Sequence, residues 1–374
     1  MRVLIVGAGV GGLAAARALG ADGHGVIVFE RADGVRRAGA AVTLWSNGTG
    51  ILADLGVRLD GVGGRIDALE QRTGDGRLLL RVDVARSAAR YGHPHVCLPR
   101  RQLLELLGNG LPGATVQFAR RAIAAHQDGD GVRVEFEDGG SAHGDLLIGA
   151  DGRSSVVRER VWGPDPAEPS GWATWQGVDP IACEVTGSRR GLMVVGPQGL
   201  CGLMPAGGGL LQWWFDVRAR PGDPRPASPV ALLRERFGGW GGAVREVLAA
   251  IDDTRAGFFP HVRHRVPAVW SAGRMVLLGD AAHSMPPTRA QGANQALEDA
   301  WTLARALREA GGEVPAALRA YERERAPKAG LVARQAGTED TNEYRPWLSR
   351  MVPNALAGRY HERWLRQIST FLAA

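Results

Sequence analysis

Lysine occurs once in these 374 residues, at Lys328, cysteine three times and tyrosine four times. Each scarcity removes a class of function. Cys97, Cys183 and Cys201 are odd in number, far apart and outside any C-x-x-C spacing, so neither a disulfide framework nor a zinc site is expected. They read as small buried apolar residues. No apolar run reaches the ~20 residues needed to span a bilayer. The leader-like N-terminus is broken by Gly7, Gly9, Gly11 and Gly12, which argues against a secretory signal and for a cytoplasmic protein. The net charge is +6, yet the basic residues, all arginine but Lys328, are scattered with no basic run longer than two. Nucleic acid is therefore not an expected partner; the arginines suit phosphorylated cofactors instead. No Ser-His-Asp set, metal cluster or carboxylate pair is legible.

What is present begins at residue 3. Residues 3–6 (VLIV) form the continuous apolar run of a parallel strand buried on both faces. The glycine-rich GAGVGG follows at once, then an alanine-rich helix-forming stretch, then a second strand at 26–29 closed by Glu30. This is a complete strand–turn–helix–strand setting for G-x-G-x-x-G. Gly7 allows the tight turn, Gly9 lets the backbone approach a pyrophosphate, Gly11 lies within the motif and Gly12 lets helix pack on strand. The helix N-terminus offers free N–H groups and a positive dipole end to phosphate. Glu30, eighteen residues past Gly12, can accept hydrogen bonds from ribose hydroxyls and repels a 2′-phosphate. The dinucleotide bound here is FAD or NAD rather than NADP.

Two further segments share one form, a buried strand ending in glycine and aspartate. They are 145–158 (DLLIGADGRSSVVR) and 276–301 (VLLGDAAHSMPPTRAQGANQALEDAW). Open α/β sheets bind ligands at the carboxyl ends of their strands. A carboxylate there, Asp151 or Asp280, can hold a polyol. The helix opening at Gly292-Ala293-Asn294 presents N–H groups to developing negative charge.

In order and spacing, Gly7–Gly12, Asp151-Gly152 and Gly279-Asp280 resemble the para-hydroxybenzoate-hydroxylase-like flavoprotein monooxygenases over at least residues 1–330. The segment 39–48 (GAAVTLWSNG) is most similar to the salicylate and urate hydroxylase branch. The resemblance implies an α/β fold: a Rossmann-like FAD domain (1–165 and 256–374, with a helical C-terminus) and an inserted antiparallel-sheet substrate domain (166–255, with part of 65–95). It implies FAD as cofactor, NADH or NADPH as transient reductant, and O2 and a small, aromatic molecule as substrates, with oxygen passing through a flavin C4a-hydroperoxide. Carried over residue by residue, Glu30 and Arg31 bind the adenosine ribose. Arg100 contacts the phosphates or ribityl chain, with Arg101 as rival, and Arg36 lies near the cofactor, with Arg37 as rival. Asp151 belongs to the motif touching FAD and NAD(P)H, Asp280 binds the ribityl or pyrophosphate region, and Ala290, Gly292, Ala293 and Asn294 wrap the pyrimidine edge. Ala290 stands where the family often has glycine, and Gln176 where it has arginine.

The middle of the chain is rich in glycine, proline and tryptophan. Segments 200–204 and 210–217 read as antiparallel strands, with Trp213 and Phe215 on one face and Trp214 and Asp216 on the other. Candidate pocket residues are Trp45, Trp175, Met204, Trp213, Phe215 and Pro286. Residues 230–250 read as a helix, and 313–371 as mostly helical, with Trp347, Trp364 and Phe371 able to cover the pocket or a dimer contact. No catalytic side chain is assigned: His283 reads as structural, and His261 and His264 as possible substrate-facing groups. The expected reaction is insertion of one oxygen atom from O2. The alternative is an FAD-dependent reductase or dehydrogenase on the same fold. A flavin halogenase needs an early lysine that is absent. The chain is expected to act as monomer or homodimer, away from membranes.

Overall fold

The computed structural model describes residues 1–35, 40–164, 167–345, 351 and 353–374. Its first layer is a six-stranded sheet ordered Ser271–Ala272, Met275–Leu277, Leu146–Gly149, Arg2–Val6, Gly25–Phe29, Ala114–Gln117. All neighbours run parallel except the two-residue edge strand. Val3, Leu4 and Ile5 are fully buried, as a continuous apolar strand covered on both faces must be. The helices Val10–Ala21 and Gly292–Glu309 pack on each other against this sheet.

The second layer is a seven-stranded sheet ordered Gly257–Arg263, Glu168–Asp179, Leu210–Arg218, Gly199–Gly207, Arg190–Gly196, Ala68–Thr73, Leu78–Asp83. It is antiparallel apart from the pairing of Arg190–Gly196 with Ala68–Thr73. The chain thus leaves this sheet only after Arg263, and the 165/166 join lies outside the described residues. A small sheet of Ala41–Leu44, His95–Pro99 and Gly64–Ile66 stands between the layers. A three-stranded meander, Ala122–Asp128, Gly131–Phe136 and Ser141–Gly144, caps the parallel sheet.

Residues 230–250 are two helices, Pro229–Phe237 and Ala243–Ala250, rather than one. The glycine cluster around Trp240 separates them; Gly242 sits at φ +57, where glycine meets no steric cost. Both helices cover one face of the seven-stranded sheet. Trp175, Leu203, Leu211, Trp213, Phe215 and Val217 fill that interface. The tail forms the long helix Val314–Gly337 and a final helix Asn354–Ile368, in keeping with its helical reading. Trp347 lies outside the described residues. Phe371 packs on Trp301 and His93. Among the described residues no helix is long and apolar enough to cross a membrane.

Candidate active site

Between the two layers lies a cleft of about 2260 Å³. Small-molecule pockets usually measure about 300–1,000 Å³, so this space can take a dinucleotide and a second molecule. Its floor is built from strand ends. Gly7, Gly9, Gly11, Glu30 and Arg31 follow the first two strands, Asp151 and Gly152 the third, and Gly279 and Asp280 the fourth.

The glycines divide by role. A Cβ on Gly12 would stand 1.9 Å from the Gly7 carbonyl oxygen, and one on Gly7, at φ +104, 2.4 Å from Ala150 O. Both are packing positions, and Gly12 does not itself line the cleft. A Cβ on Gly9 meets nothing within 4 Å: it would point into the open cleft. Glu30 is fixed from both sides, with Oε2 accepting from Ala8 N (2.9 Å) and Oε1 from Ala32 N (3.0 Å). Two N–H donors hold the carboxylate still at the mouth of the glycine turn.

Asp151 accepts from Val156 N through Oδ2 (2.8 Å), while its buried Oδ1 has no partner. Burial pushes this carboxyl up, partly offset by Ser155 and backbone N–H groups. An anionic acceptor with a spare oxygen suits a hydroxyl donor such as a sugar alcohol. Asp280 is exposed to the cleft. Behind it, Asp299 accepts from Gly279 N (2.8 Å), His283 Nε2 (2.6 Å) and Arg325 Nε (2.8 Å). Burial alone would raise Asp299, but His283 and Arg325 outweigh it and hold the carboxyl below its usual range. His283 therefore anchors the Gly279-Asp280 turn from within the core.

Arg100 and Arg101 both line the cleft and are exposed. Arg101 is drawn to Glu105 (2.6 Å), whereas the Arg100 guanidinium makes no hydrogen bond or ion pair among the described residues. Arg36 and Arg37 lie outside the described residues. Ala290, Gly292 and Ala293 line the cleft, but Asn294 is fully buried behind it. Its amide accepts from Trp45 N (3.0 Å) and donates to Thr43 O (3.0 Å) and Ala290 O (2.8 Å). Asn294 thereby ties the 43–45 segment to the start of the Gly292–Glu309 helix. Ala290 adopts φ +48, a left-handed conformation that normally favours glycine.

The roof is the other face of the seven-stranded sheet. Thr174, Gln176, Val178, Met193, Met204, Gln212, Trp214 and Asp216 line the cleft from it. Trp45, Met204 and Pro286 line the cleft. Trp175, Trp213 and Phe215 do not: they point to the helix-covered face, Trp213 and Phe215 fully buried and Trp213 Nε1 donating to Asp179 Oδ2 (2.7 Å). The alternation was right and the choice of face was not. A signal existed: positions 211, 213, 215 and 217 are Leu, Trp, Phe and Val, a wholly apolar face that a helix layer must cover, while 212, 214 and 216 are Gln, Trp and Asp. Gln212 is held by Cys97 Sγ (3.1 Å), whose thiol burial pushes up to about 12, and donates to Ala41 O (3.2 Å).

Of the tail residues, sequence reasoning pointed to Trp364 as able to cover the pocket and missed His361. His361 and Trp364 of the last helix line the cleft, and His361 packs edge-on to Trp45 with ring centroids 5.1 Å apart. Burial pushes the His361 imidazole down to about 3, so it is neutral. His261 is fully buried and lies behind the roof rather than in it, while His264 is absent from the lining. Among the described residues no group of three His, Cys, Asp or Glu side chains could hold a metal.

The glycine turn open at Gly9, the held Glu30, the spare Asp151 oxygen and the cleft-facing Asp280 fit FAD along one continuous floor. A family model described as "FAD binding domain" matches residues 1–336. The chain is 36% identical to 3-amino-4-hydroxybenzoate 2-monooxygenase of Streptomyces cremeus, over 90% of this chain and 86% of that one. It is 32% identical to aurachin C monooxygenase/isomerase of Stigmatella aurantiaca, over 99% and 95%. Among solved structures, Klebsiella pneumoniae HpxO complexed with FAD and uric acid superimposes with a TM-score of 0.90 at 28% identity, covering 98% of this chain and 97% of that one. The fold is that of a flavoprotein that oxygenates small molecules. The chain belongs to this FAD-binding family and is an FAD-dependent, NAD(P)H-consuming monooxygenase.

Proposed function

We propose that the chain hydroxylates a planar aromatic or heteroaromatic molecule held between the 41–45 segment and the cleft face of the seven-stranded sheet. The observation that carries this reading is the shape of this cleft. Its floor presents the glycine turn and the carboxyl ends of parallel strands, and its roof presents Met204, Trp214 and, from the tail, Trp364. Flat apolar walls favour a flat apolar ligand. The relatives named above act on an aminohydroxybenzoate and aurachin C, and HpxO was solved with uric acid.

When bound, FAD supplies electron transfer from NAD(P)H and activation of O2. The protein's part is binding, orientation and exclusion of water. In this reading Glu30 and Arg31 hold the adenosine ribose, Gly9 and the helix start receive the pyrophosphate, and Arg100 neutralises phosphate charge. Asp151 and Asp280 take hydroxyls of the sugar-alcohol chain, and Ala290, Gly292 and Ala293 face the ring edge through backbone N–H groups. Asn294 positions that edge without touching the ligand. Trp45, Met204 and Pro286 border the substrate. The three cysteines are free, which supports a cytoplasmic setting.

The test is a screen of hydroxylated and aminated aromatics with FAD-loaded protein, scored by stimulated NAD(P)H consumption under 18O2 and by product mass. The expected result is one 18O atom in the product. Anaerobic turnover with no oxygen incorporated would overturn the reading and favour a reductase.

A further inference from the structure

One cluster in and behind the cleft roof is not used by any step above. His261, fully buried, bridges two carboxylates. Its Nδ1 lies 2.9 Å from Glu339 Oε1, and its Nε2 lies 2.6 Å from Thr174 Oγ1 and 3.7 Å from Asp216 Oδ1. The Thr174 hydroxyl also bonds Asp216 Oδ1. Glu339 further accepts from Ser170 Oγ (2.6 Å) and Asn342 Nδ2 (2.8 Å). Asp216, Glu339 and Asn342 are each at most 4% exposed, and Thr174, Asp216 and Asn342 line the cleft.

Proton counting fixes the charge. Nδ1–H of His261 donates to Glu339, and Thr174 has one hydroxyl proton for two neighbours. Either His261 is protonated, Nε2–H donates to Thr174 and Thr174 donates to ionised Asp216, or Asp216 carries the proton and His261 is neutral. Both arrangements leave Asp216, His261 and Glu339 with one net negative charge. Among the described residues no arginine or lysine is paired with either carboxylate. A buried net charge without a counterion is costly unless something donates to it.

A second observation points the same way. Asn342 must turn its Nδ2 to the Glu339 carboxylate, because a flipped amide would set oxygen against oxygen. That leaves Asn342 Oδ1 as an acceptor, and it is buried with no donor. Asp216 already takes a hydrogen bond from the Asn342 side chain, but a carboxylate has lone pairs to spare; with Asn342 Oδ1 it leaves acceptor capacity beside the cleft that a ligand rich in N–H donors satisfies.

We infer that Thr174, Asp216 and Asn342 form a recognition subsite for an amino group on the substrate, reached from the same cleft as the flavin and backed by His261 and Glu339. This rests on the monooxygenase reading of the cleft, since it names the class of substrate that enters it. Asp216 and Asn342 bind the amino group; His261 and Glu339 act only through them.

The test titrates FAD-loaded enzyme at pH 8 with 3-aminophenol and with 3-methylphenol, which matches it in shape but lacks the donor, reading binding from the flavin absorbance. Wild type is expected to bind 3-aminophenol at least about tenfold more tightly, although the methyl compound is the more hydrophobic. Asp216→Asn and Asn342→Ala should each bring the ratio towards one; if Asp216→Asn does not fold, Asn342→Ala carries the comparison. Equal binding to wild type, no binding of the amine, or an unchanged ratio in the folded variants overturns the inference. The nicotinamide carboxamide is also an N–H donor, so flavin reduction is measured against NADH and NADPH concentration. Variants that raise the half-saturating nicotinamide concentration with the phenol ratio unchanged would also overturn it. Failure of the monooxygenase reading itself shows separately, as absent 18O in product.

Discussion

Gly9 and Gly12 sit three residues apart in one motif, yet the structure assigns them opposite vulnerabilities. In Gly12→Ala the new methyl would stand 1.9 Å from Gly7 O, well inside ordinary contact distance. The helix Val10–Ala21 must move off the strand or the glycine turn must deform. Overpacking of this kind costs about 1–3 kcal/mol, and the displaced N–H groups also lose the pyrophosphate. Gly9→Ala is different. Gly9 has φ −76, which any residue adopts, and its methyl meets no protein atom within 4 Å. The apoprotein should keep its melting temperature within about 1 °C, a shift worth only a few tenths of a kcal/mol. The methyl does project towards the proposed phosphate seat. Lengthening one or two charge-assisted N–H contacts, each worth about 1.5–3 kcal/mol, weakens FAD roughly 10- to 100-fold. Mass action then removes up to about 2.7 kcal/mol of stabilisation by FAD. The assay is paired: thermal unfolding of each apoprotein, and FAD titration by fluorescence quenching. Apo-stable Gly9→Ala with weak FAD binding, beside apo-destabilised Gly12→Ala, is the expected pattern. Gly9→Ala that binds FAD as wild type would refute the placement of the pyrophosphate at this turn.

Other outcomes follow from single features. Ala290→Gly should raise the melting temperature by about 1–2 °C, because relief of a left-handed alanine, about 1–2 kcal/mol, exceeds the added chain entropy of glycine, about 0.5–1 kcal/mol; a fall in melting temperature would contradict the strain argument. Trp213→Ala should destabilise by about 3–5 kcal/mol in urea unfolding, while Trp214→Ala should act mainly on substrate KM; the reverse pattern would mean the sheet faces are exchanged. Burial raises the Asp216 carboxyl to about 6, partly offset by His261 and Thr174. The folded state therefore holds this proton more tightly than the unfolded chain, whose Asp titrates near ~4. Its stabilising effect is present below about pH 4 and is lost as pH rises through about 6. The stability of wild type relative to Asp216→Asn should fall across that window by up to about 3 kcal/mol, and a flat difference in urea unfolding would be inconsistent with the buried carboxyl.

The floor of the cleft was legible in the sequence because it is local. A parallel strand buried on both faces must read as a continuous apolar run, and the residues just beyond its end line the cleft, so 3–12, 145–152 and 276–280 each announce strand and cleft floor within a dozen positions. The Val314–Gly337 and Asn354–Ile368 helices were visible for the same reason. The roof was legible only in part. Period-two alternation separated 213 and 215 from 212, 214 and 216, but which side faces the cleft depends on where the helices Pro229–Phe237 and Ala243–Ala250 come to rest. That is a packing decision, not a propensity. The GGWGG run at 238–242 that makes those helices two is itself legible in the sequence.

What the sequence determined by itself was the floor of the cleft and the fold that goes with it, since backbone geometry at glycine turns and strand ends is set by residues adjacent in the chain. What only tertiary structure decided was the substrate wall. Thr174, Asp216, His261 and Glu339 meet from four separate segments, and His361 reaches Trp45 across more than 300 positions. No local preference encodes such meetings; they exist because folding buries the faces on which these side chains stand, and buried polar groups must then find one another.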